Sequence, residues 1–553
     1  MPSQSIDRDH QSSTAGRIRA CVLTLYLSES LGARQVCSML KSRGHECSLI
    51  FFKEFRWGEF RPVTAREQEI LLSVLRERRP DLVGISLTSS LVADVAYALS
   101  DVIRKRLGVP VVLGGAHPST CPEESLEHAD FICRGEGEGA VVDLAEALAR
   151  GGATDSIQNL WTRSDGTVKR NDVRPLDEDL DSLPFASYGD PDSCVIEYDA
   201  LHEFDPATRI PMYHTYAARM PCPFACAFCA GVWFRRELYA GKGPVRRYRS
   251  VGNILADIKR ARERHPGIEL VQFWDEVFGV RAPEGWLDEF CERFPQEVGL
   301  PFGVWLHPSL TNDRFVAKLR AAGLKSVVMG VESGSERVRR EVLNRAERNS
   351  AVLDAARALH DHGIAAGYDF ILDIPWMEEE NCRGTFELIM QLPRPFSVGL
   401  HSLSFLPRTA VTSRALAEGL IRPEQVAGAD RDLAERFESF LWKYRLEARD
   451  KRAAFWHSLI YLASMPFVPR ELLWRAYRMR RLLQIFPQPL IVAAEAARSK
   501  KDTGHLRLWP ALAVVYPGLA AFFARHPRLG AAVNRAIRAV GRRMVRLTRL
   551  TGR

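Results

Sequence analysis

Long apolar runs are what this sequence most plainly lacks. No window of its 553 residues supplies the roughly 18 consecutive apolar positions that a membrane span requires. The first twenty residues, MPSQSIDRDHQSSTAGRIRA, carry no apolar core of the secretory kind, so the expected compartment is the cytoplasm. Acidic residues disappear from Thr503 to Arg553, where ten Arg stand without one Asp or Glu, although the net charge of the whole chain is only +8. Cysteine shows no disulfide pattern either: of eleven, eight are scattered and three are clustered. In a reducing compartment that distribution excludes a disulfide framework and leaves a metal or redox role for the cluster.

What is present is enough for several cores. At this length and 46% hydrophobic content a single core stops growing, and two or three domains are expected. From Ala20 short apolar runs alternate with helical patterns: CVLTLYL, CSLIFF, DLVGISL, VPVVLGG and FICRGEGE are separated by helices around Leu31 to Arg43, Glu67 to Arg78 and Leu91 to Leu107. Strands alternating with helices imply an α/β domain with a parallel, doubly wound sheet, which binds ligands at the carboxyl ends of its strands. Those ends carry Thr88, Ser89 and Ser90, then Gly114, Gly115 and His117, then Gly135 and Glu136. Small residues there let a large planar ligand approach the backbone. An ordinary nucleotide-binding or response-regulator-like unit would show the same glycines.

The order DLVGISLTSS, VVLGGAHPS, FICRGEGE resembles the Rossmann-like cobalamin-binding domain that precedes many radical S-adenosylmethionine (SAM) enzymes, over residues 18 to 152. That resemblance implies cobalamin contacts from Thr88, Ser89, Gly114, Gly115, His117, Gly135 and Glu136. Mutase-type cobalamin domains have an Asp-x-His-x-x-Gly loop after the first strand, whereas this chain reads YLSESLGARQ and offers no axial His there. His117 is the one candidate at a strand end, and its place after two glycines suits the corrin rim better than cobalt. Residues 153 to 205, with DLDSLPFASYGD, resemble the connector of this family and read as a linker lying over the second domain.

The clustered cysteines form Cys222-Pro-Phe-Ala-Cys226-Ala-Phe-Cys229. Three thiolates on one short loop can hold one cluster, and three ligands on four irons leave one iron open. A zinc knuckle is the alternative, but zinc usually takes four ligands and no nearby Cys or His has finger spacing. Cys-x3-Cys-x-Phe-Cys resembles the 4Fe-4S loop of radical SAM enzymes, which implies cluster ligation by Cys222, Cys226 and Cys229 and places Phe228 near the adenine of SAM. As a plain loop anchor Phe228 would be equally compatible.

After the loop five more apolar segments recur, IELVQFWDEVF, FGVWLHP, SVVMGVESGS, AAGYDFILDIP and VGLHSLSFLP, which makes six in this part of the chain. Six strands suggest a radical SAM partial (β/α)6 barrel over residues 206 to 430, whose strand ends would gather Asp275, Glu276, His307, Glu332 and Ser333. FWDEVF and GVESGS resemble family segments that meet SAM, implying SAM contacts from Asp275, Glu276, Glu332 and Ser333; each acid alone could equally be a surface group. ILDIPWMEEEN and FLPRTAV depart from the family's turns on the fifth and sixth strands.

Residues 1 to 17 read as a disordered amino terminus and 431 to 553 as a helical, basic carboxy-terminal region. Arg535, Arg538, Arg542, Arg546 and Arg549 fall on one face of a final amphipathic helix, a pattern compatible with peripheral membrane contact or with a solvated face. Nucleic acid is not expected, because the RNA-binding module and extra cysteines of tRNA methylthiotransferases are missing. The resemblance implies a cobalamin-dependent enzyme that moves a methyl group from SAM via methylcobalamin to an unactivated carbon or phosphorus centre. The substrate would be a small molecule or lipid, with a flavodoxin- or ferredoxin-type protein as low-potential electron donor. A cyclase or rearrangement enzyme without methyl transfer, and a cobalamin sensor or scaffold with an inactive cluster site, are the other readings.

Overall fold

The computed structural model of the protein describes residues 16–54, 61–164, 166–428, 451–466 and 468–479. They form two compact units, one drawn from within Met1–Glu54, Thr64–Leu176 and Ser182–Thr208 and the other from the remainder. The expected disordered stretch 1–17, apart from Gly16 and Arg17, and the Arg-rich helix from Arg535 to Arg549 lie outside the described residues. Of the carboxy-terminal region, the helices Lys451–Ser464 and Arg470–Arg478 are described. Among the described residues no helix is long and apolar enough to cross a membrane.

The first unit is a doubly wound sheet. Strands β1 (Arg19–Leu25), β2 (Glu46–Phe52), β3 (Leu82–Ser86), β4 (Val111–Gly114) and β5 (Phe131–Cys133) run parallel in the order β5-β4-β3-β1-β2. Every residue of β1 after Arg19 is buried, as a strand covered by helices on both faces must be. The order of strand addition reverses between β1 and β3, the topological switch point where such sheets take ligands. The helix Ala65–Arg78 starts with a reciprocal cap: Thr64 Oγ1 accepts the Glu67 N–H and the Glu67 carboxylate accepts the Thr64 N–H, each at 3.0 Å. The same carboxylate meets Lys53 Nζ at 2.6 Å in the core.

Residues 153 to 205, expected as a linker over the second domain, instead extend this sheet. β6 (Leu160–Ser164) and β7 (Thr167–Arg170) add antiparallel beside β5, while β8 (Cys194–Glu197) pairs parallel with β2 and β9 (Ala200–His202) closes that edge. Arg34 clamps the segment to the core with a bidentate, buried ion pair to Asp205 at 2.6 and 2.7 Å. These strands are three to five residues long. Runs that brief carry almost no periodic signal in the sequence.

The second unit holds β10 (Met212–Thr215), the two-stranded ribbon β11 (Ala218–Arg219) and β12 (Arg247–Tyr248), then β13 (Leu270–Phe273), β14 (Phe302–Leu306), β15 (Leu324–Glu332), β16 (Ala365–Ile371) and β17 (Ser397–His401). The sheet β10-β13-β14-β15-β16-β17 is parallel throughout and in sequence order, the partial barrel expected. One face is buried: Phe273, Val304, Met329, Tyr368, Phe370 and Leu400 are no more than 1% exposed. Phe273 packs with Phe290, Phe294 and Phe302 at centroid distances of 5.7 to 6.3 Å. The other face is half-open and carries Gln272, Ser326, Asp369, Ser397 and His401. Glycines flatten it. A Cβ on Gly399 would collide with the Asp369 carboxylate, and one on Gly303 with Gln272 and Ser326.

Candidate functional site

The cysteine loop begins just past β11, where Met220 turns into the left-handed region at φ 49°. It is held from outside its own sequence by three consecutive residues. The Leu343 carbonyl accepts the Ala227 N–H at 2.9 Å, Asn344 Nδ2 donates to the Ala225 carbonyl at 2.7 Å, and Arg345 Nη1 donates to Cys226 Sγ at 3.8 Å. Arg235 Nη2 donates to the Phe224 carbonyl at 2.5 Å. Cys226 is buried, and Cys222 and Cys229 are half-buried. Burial raises the Cys222 thiol and pushes Cys226 up to about 11, with Arg345 pulling the latter back. Metal binding at Cys222 and Cys226 therefore has to displace thiol protons that burial favours.

Spacing of the sulfurs discriminates between metal groups. Thiolates around one zinc lie roughly 4 Å apart, given tetrahedral Zn–S bonds. Among the described residues, the only groups of three His, Cys, Asp or Glu ligand atoms within 4.8 Å of one another involve His117, Cys121 and Glu124, not these cysteines. Three thiolates on one loop, two of them half-buried, suit a polynuclear group that keeps one site open. Phe228 packs half-buried against the Val338, Val342 and Leu343 cluster, the position of a loop anchor.

The acids at the strand ends differ from one another. Asp275 uses both carboxylate oxygens on its own backbone scaffold, accepting the Ala217 N–H at 2.9 Å and the Ala218 N–H at 2.7 Å. Burial raises it to about 7, against the pull of those two N–H groups. It therefore fixes the turn that launches the cysteine loop. Glu276, its neighbour, is exposed. Glu332 ends β15 in the left-handed region at φ 69° and is 9% exposed. Burial lifts it to about 7, opposed by Arg345 at 3.4 Å and reinforced by Asp369. Ser333 is fully buried and structural: its carbonyl accepts Arg339 Nη1 at 2.6 Å and its hydroxyl accepts the Ser335 N–H at 3.2 Å.

His307 lies flat on the loop, its ring 3.7 Å from that of Phe224 at an interplanar angle of 18°. Arg345 and Glu347, joined at 2.7 Å, complete the buried surroundings. Sequence reading gave no sign of either, because neither sits at a strand end or in a recognisable motif. Only the contact of Arg345 with Cys226, and of Glu347 with Arg345, marks them.

In the first unit the strand-end residues are largely engaged with one another. His117 is 4% exposed, with Nδ1 2.8 Å from Ser90 Oγ and Nε2 2.8 Å from Tyr97 Oη. Burial holds its pKa down to about 4. With both ring nitrogens taken it braces the rim from behind and presents neither to a ligand, nor to a metal with Cys121 and Glu124. Gly115 has φ 112° and a Cβ there would come 2.6 Å from the Leu87 carbonyl oxygen, so close strand packing already requires it. Gly114 accepts the Leu87 N–H through its carbonyl at 2.7 Å, and the Gly135 N–H donates to Ser119 Oγ at 2.9 Å. Ser89 Oγ accepts the Leu91 N–H, and the Glu136 carbonyl accepts Asn159 Nδ2 at 3.4 Å. Thr88 is exposed.

Residues 22–145 match the B12 binding domain family and residues 221–389 the Radical SAM superfamily. The chain combines a B12-binding domain with a radical SAM domain. The chain is therefore an enzyme of two recognised domains, whose cofactors are cobalamin, a 4Fe-4S cluster and SAM. An uncharacterized methyltransferase of Pyrococcus horikoshii is 26% identical over 64% of this chain and 72% of its own length. The hopanoid C-3 methylase of Methylococcus capsulatus is 26% identical over 66% of this chain, which spans only 64% of that relative. In fold, the protein resembles the radical SAM methyltransferase TsrM from Kitasatospora setae, solved with tryptophan substrate and a SAM analogue. The TM-score is 0.58 at 18% identity, over 72% of this chain and 76% of that one.

Proposed function

We propose that this protein is a cobalamin-dependent radical SAM methyltransferase acting on a small-molecule or lipid substrate. The observation that carries the reading is the Cys222, Cys226, Cys229 loop on a partial barrel in a chain that also has a B12-binding domain. Its similarity to the Pyrococcus horikoshii methyltransferase and the hopanoid C-3 methylase supports methyl transfer over cyclisation.

When bound, the cluster and SAM supply a radical able to remove a substrate hydrogen, and cobalamin supplies a methyl carrier. The chain's own residues prepare the place. Cys222, Cys226 and Cys229 hold the cluster on a loop that Asn344 and the Leu343 carbonyl fix from behind. Asp275 rigidifies the preceding turn by taking two backbone N–H groups. Glu332 offers a buried carboxylate beside that loop, and Glu276 an exposed one, for the polar groups of SAM. The half-open face with Asp369, Ser397 and His401 gives the substrate a polar floor. In the first unit, Thr88, Ser89 and the glycine-lined turns at Gly114, Gly115 and Gly135 receive cobalamin, with His117 as their support. A flavodoxin- or ferredoxin-type protein delivers the electron.

Anaerobic reconstitution with iron, sulfide and hydroxocobalamin, followed by SAM and a low-potential reductant, tests this directly. Both 5'-deoxyadenosine and S-adenosylhomocysteine should form, and the former should vanish in Cys226→Ala. 5'-Deoxyadenosine alone would turn the reading to cyclisation or rearrangement. Absence of both products together with no retained cobalamin would refute it.

A further inference from the structure

We propose that Arg345 is a positioning residue that sets the reduction potential of the cluster on the cysteine loop, with Glu347 acting against it. The inference rests on the cluster reading above and goes beyond it by naming residues outside the cysteine motif.

Arg345 is buried and cannot swing. Its Nη2 donates to the Gly330 carbonyl at 2.7 Å, its Nε donates to Glu347 Oε1 at 2.7 Å, and Nη1 lies 3.4 Å from Glu332 Oε1. What remains of its fork is aimed at Cys226 Sγ, 3.8 Å from Nη1. A guanidinium locked by three acceptors thus delivers both a positive charge and an N–H to a ligand sulfur. Glu347 is held in turn: its second oxygen is 3.8 Å from His307 Nε2. That nitrogen is buried with no hydrogen-bond partner among the described residues. His307 Nδ1 is engaged by Ser309, whose Oγ lies at 2.8 Å and whose N–H reaches it at 3.3 Å, so Nε2 is the ring nitrogen that faces Glu347. The chain of groups therefore runs from sulfur to guanidinium to carboxylate to imidazole, all in a low-dielectric interior.

Reduction adds one electron to the cluster. A fixed cation that bonds a ligand sulfur stabilises the reduced form, and a fixed anion nearby destabilises it, since sulfur hydrogen bonds, net charge and burial set the potential of such clusters. The two members of the pair should therefore move the potential in opposite directions. A clamp that merely held the loop in place would give no such antisymmetry.

The test is an EPR-monitored redox titration of the reconstituted full-length protein without SAM. Arg345→Met should shift the cluster midpoint to more negative values, Arg345→Lys less so, and Glu347→Gln should shift it to more positive values. Asn344→Ala, which removes a loop anchor without changing charge, should lower cluster content and leave the midpoint of the assembled fraction unchanged. Should Arg345→Met fail to hold a cluster, Arg345→Lys and Glu347→Gln carry the comparison. Shifts of the same sign, or unchanged midpoints in variants that assemble the cluster, overturn the proposal while leaving the methyltransferase reading intact. A wild-type protein that assembles no cluster overturns both.

Discussion

The two units end their strands in opposite ways. In the first, the loops after β3, β4 and β5 close on themselves: His117 has a partner on each nitrogen, Ser89 caps the turn that follows it, and Gly114, Gly115 and Gly135 are fixed by neighbouring backbone or by Ser119. In the second, the ends of β14 and β15 leave Glu332 raised to about 7 and His307 Nε2 without a hydrogen-bond partner among the described residues, and the loop after β11 holds Cys226 raised to about 11. A rim that is complete before its ligand arrives can bind through shape and exposed backbone. A rim with buried polar groups in deficit binds through what it lacks, and its chemistry appears when the deficit is filled.

The sharpest break in that comparison is Cys226→Ala. Cluster absorbance and reductive SAM cleavage should be lost entirely, while the thermal unfolding of the first unit should not move; a shift in both would tie the units together. Gly115→Ala inverts the experiment. A side chain at φ 112° and 2.6 Å from the Leu87 carbonyl oxygen should cost about 3 kcal/mol or more of first-unit stability. Denaturant unfolding should show this with cluster content in the second unit unchanged.

Much of this contrast was legible beforehand, though unevenly. Longer strands with apolar runs, such as β1 and β15, declared themselves, and so did Cys222, Cys226 and Cys229, because their spacing is chemically constrained. The short edge strands β6 to β9 did not, since three to five residues cannot show a period. Asp275 and Ser333 were visible as strand-end polar residues, yet their partners are backbone groups that no pattern reveals. At the unusual segment ILDIPWMEEEN, Trp376 fills the turn, its Nε1 donating to Glu418 at 2.6 Å with Arg414 4.5 Å over its ring. Arg345 was one of 76 basic residues, and only the fold distinguishes it.

His117 offers a way to sharpen the comparison by pH. Burial depresses its pKa from about 6.5 in the unfolded chain to about 4 in the folded one. Between those values the unfolded state binds more protons, so the stabilisation is fully present above about pH 6.5 and is lost as the pH falls toward 4. The shift corresponds to about 3 kcal/mol at most. Chemical denaturation of the first unit should show that slope in the wild type and a flatter profile in His117→Asn. Equal slopes would mean the closed rim is not held by the neutral imidazole.

The smallest expected effect belongs to Asp275→Asn. The carboxylate takes two backbone N–H groups, Ala217 and Ala218, whereas an amide supplies one oxygen and sets its own donor against the other N–H. One buried N–H is then left without an acceptor, at about 1–3 kcal/mol. Because these residues precede the cysteine loop and do not touch the sulfurs, the variant should assemble the cluster at reduced yield but keep its midpoint potential. A changed potential with normal yield would place Asp275 among the residues that tune the cluster, and would move the boundary between scaffold and site in the second unit inward to the loop itself.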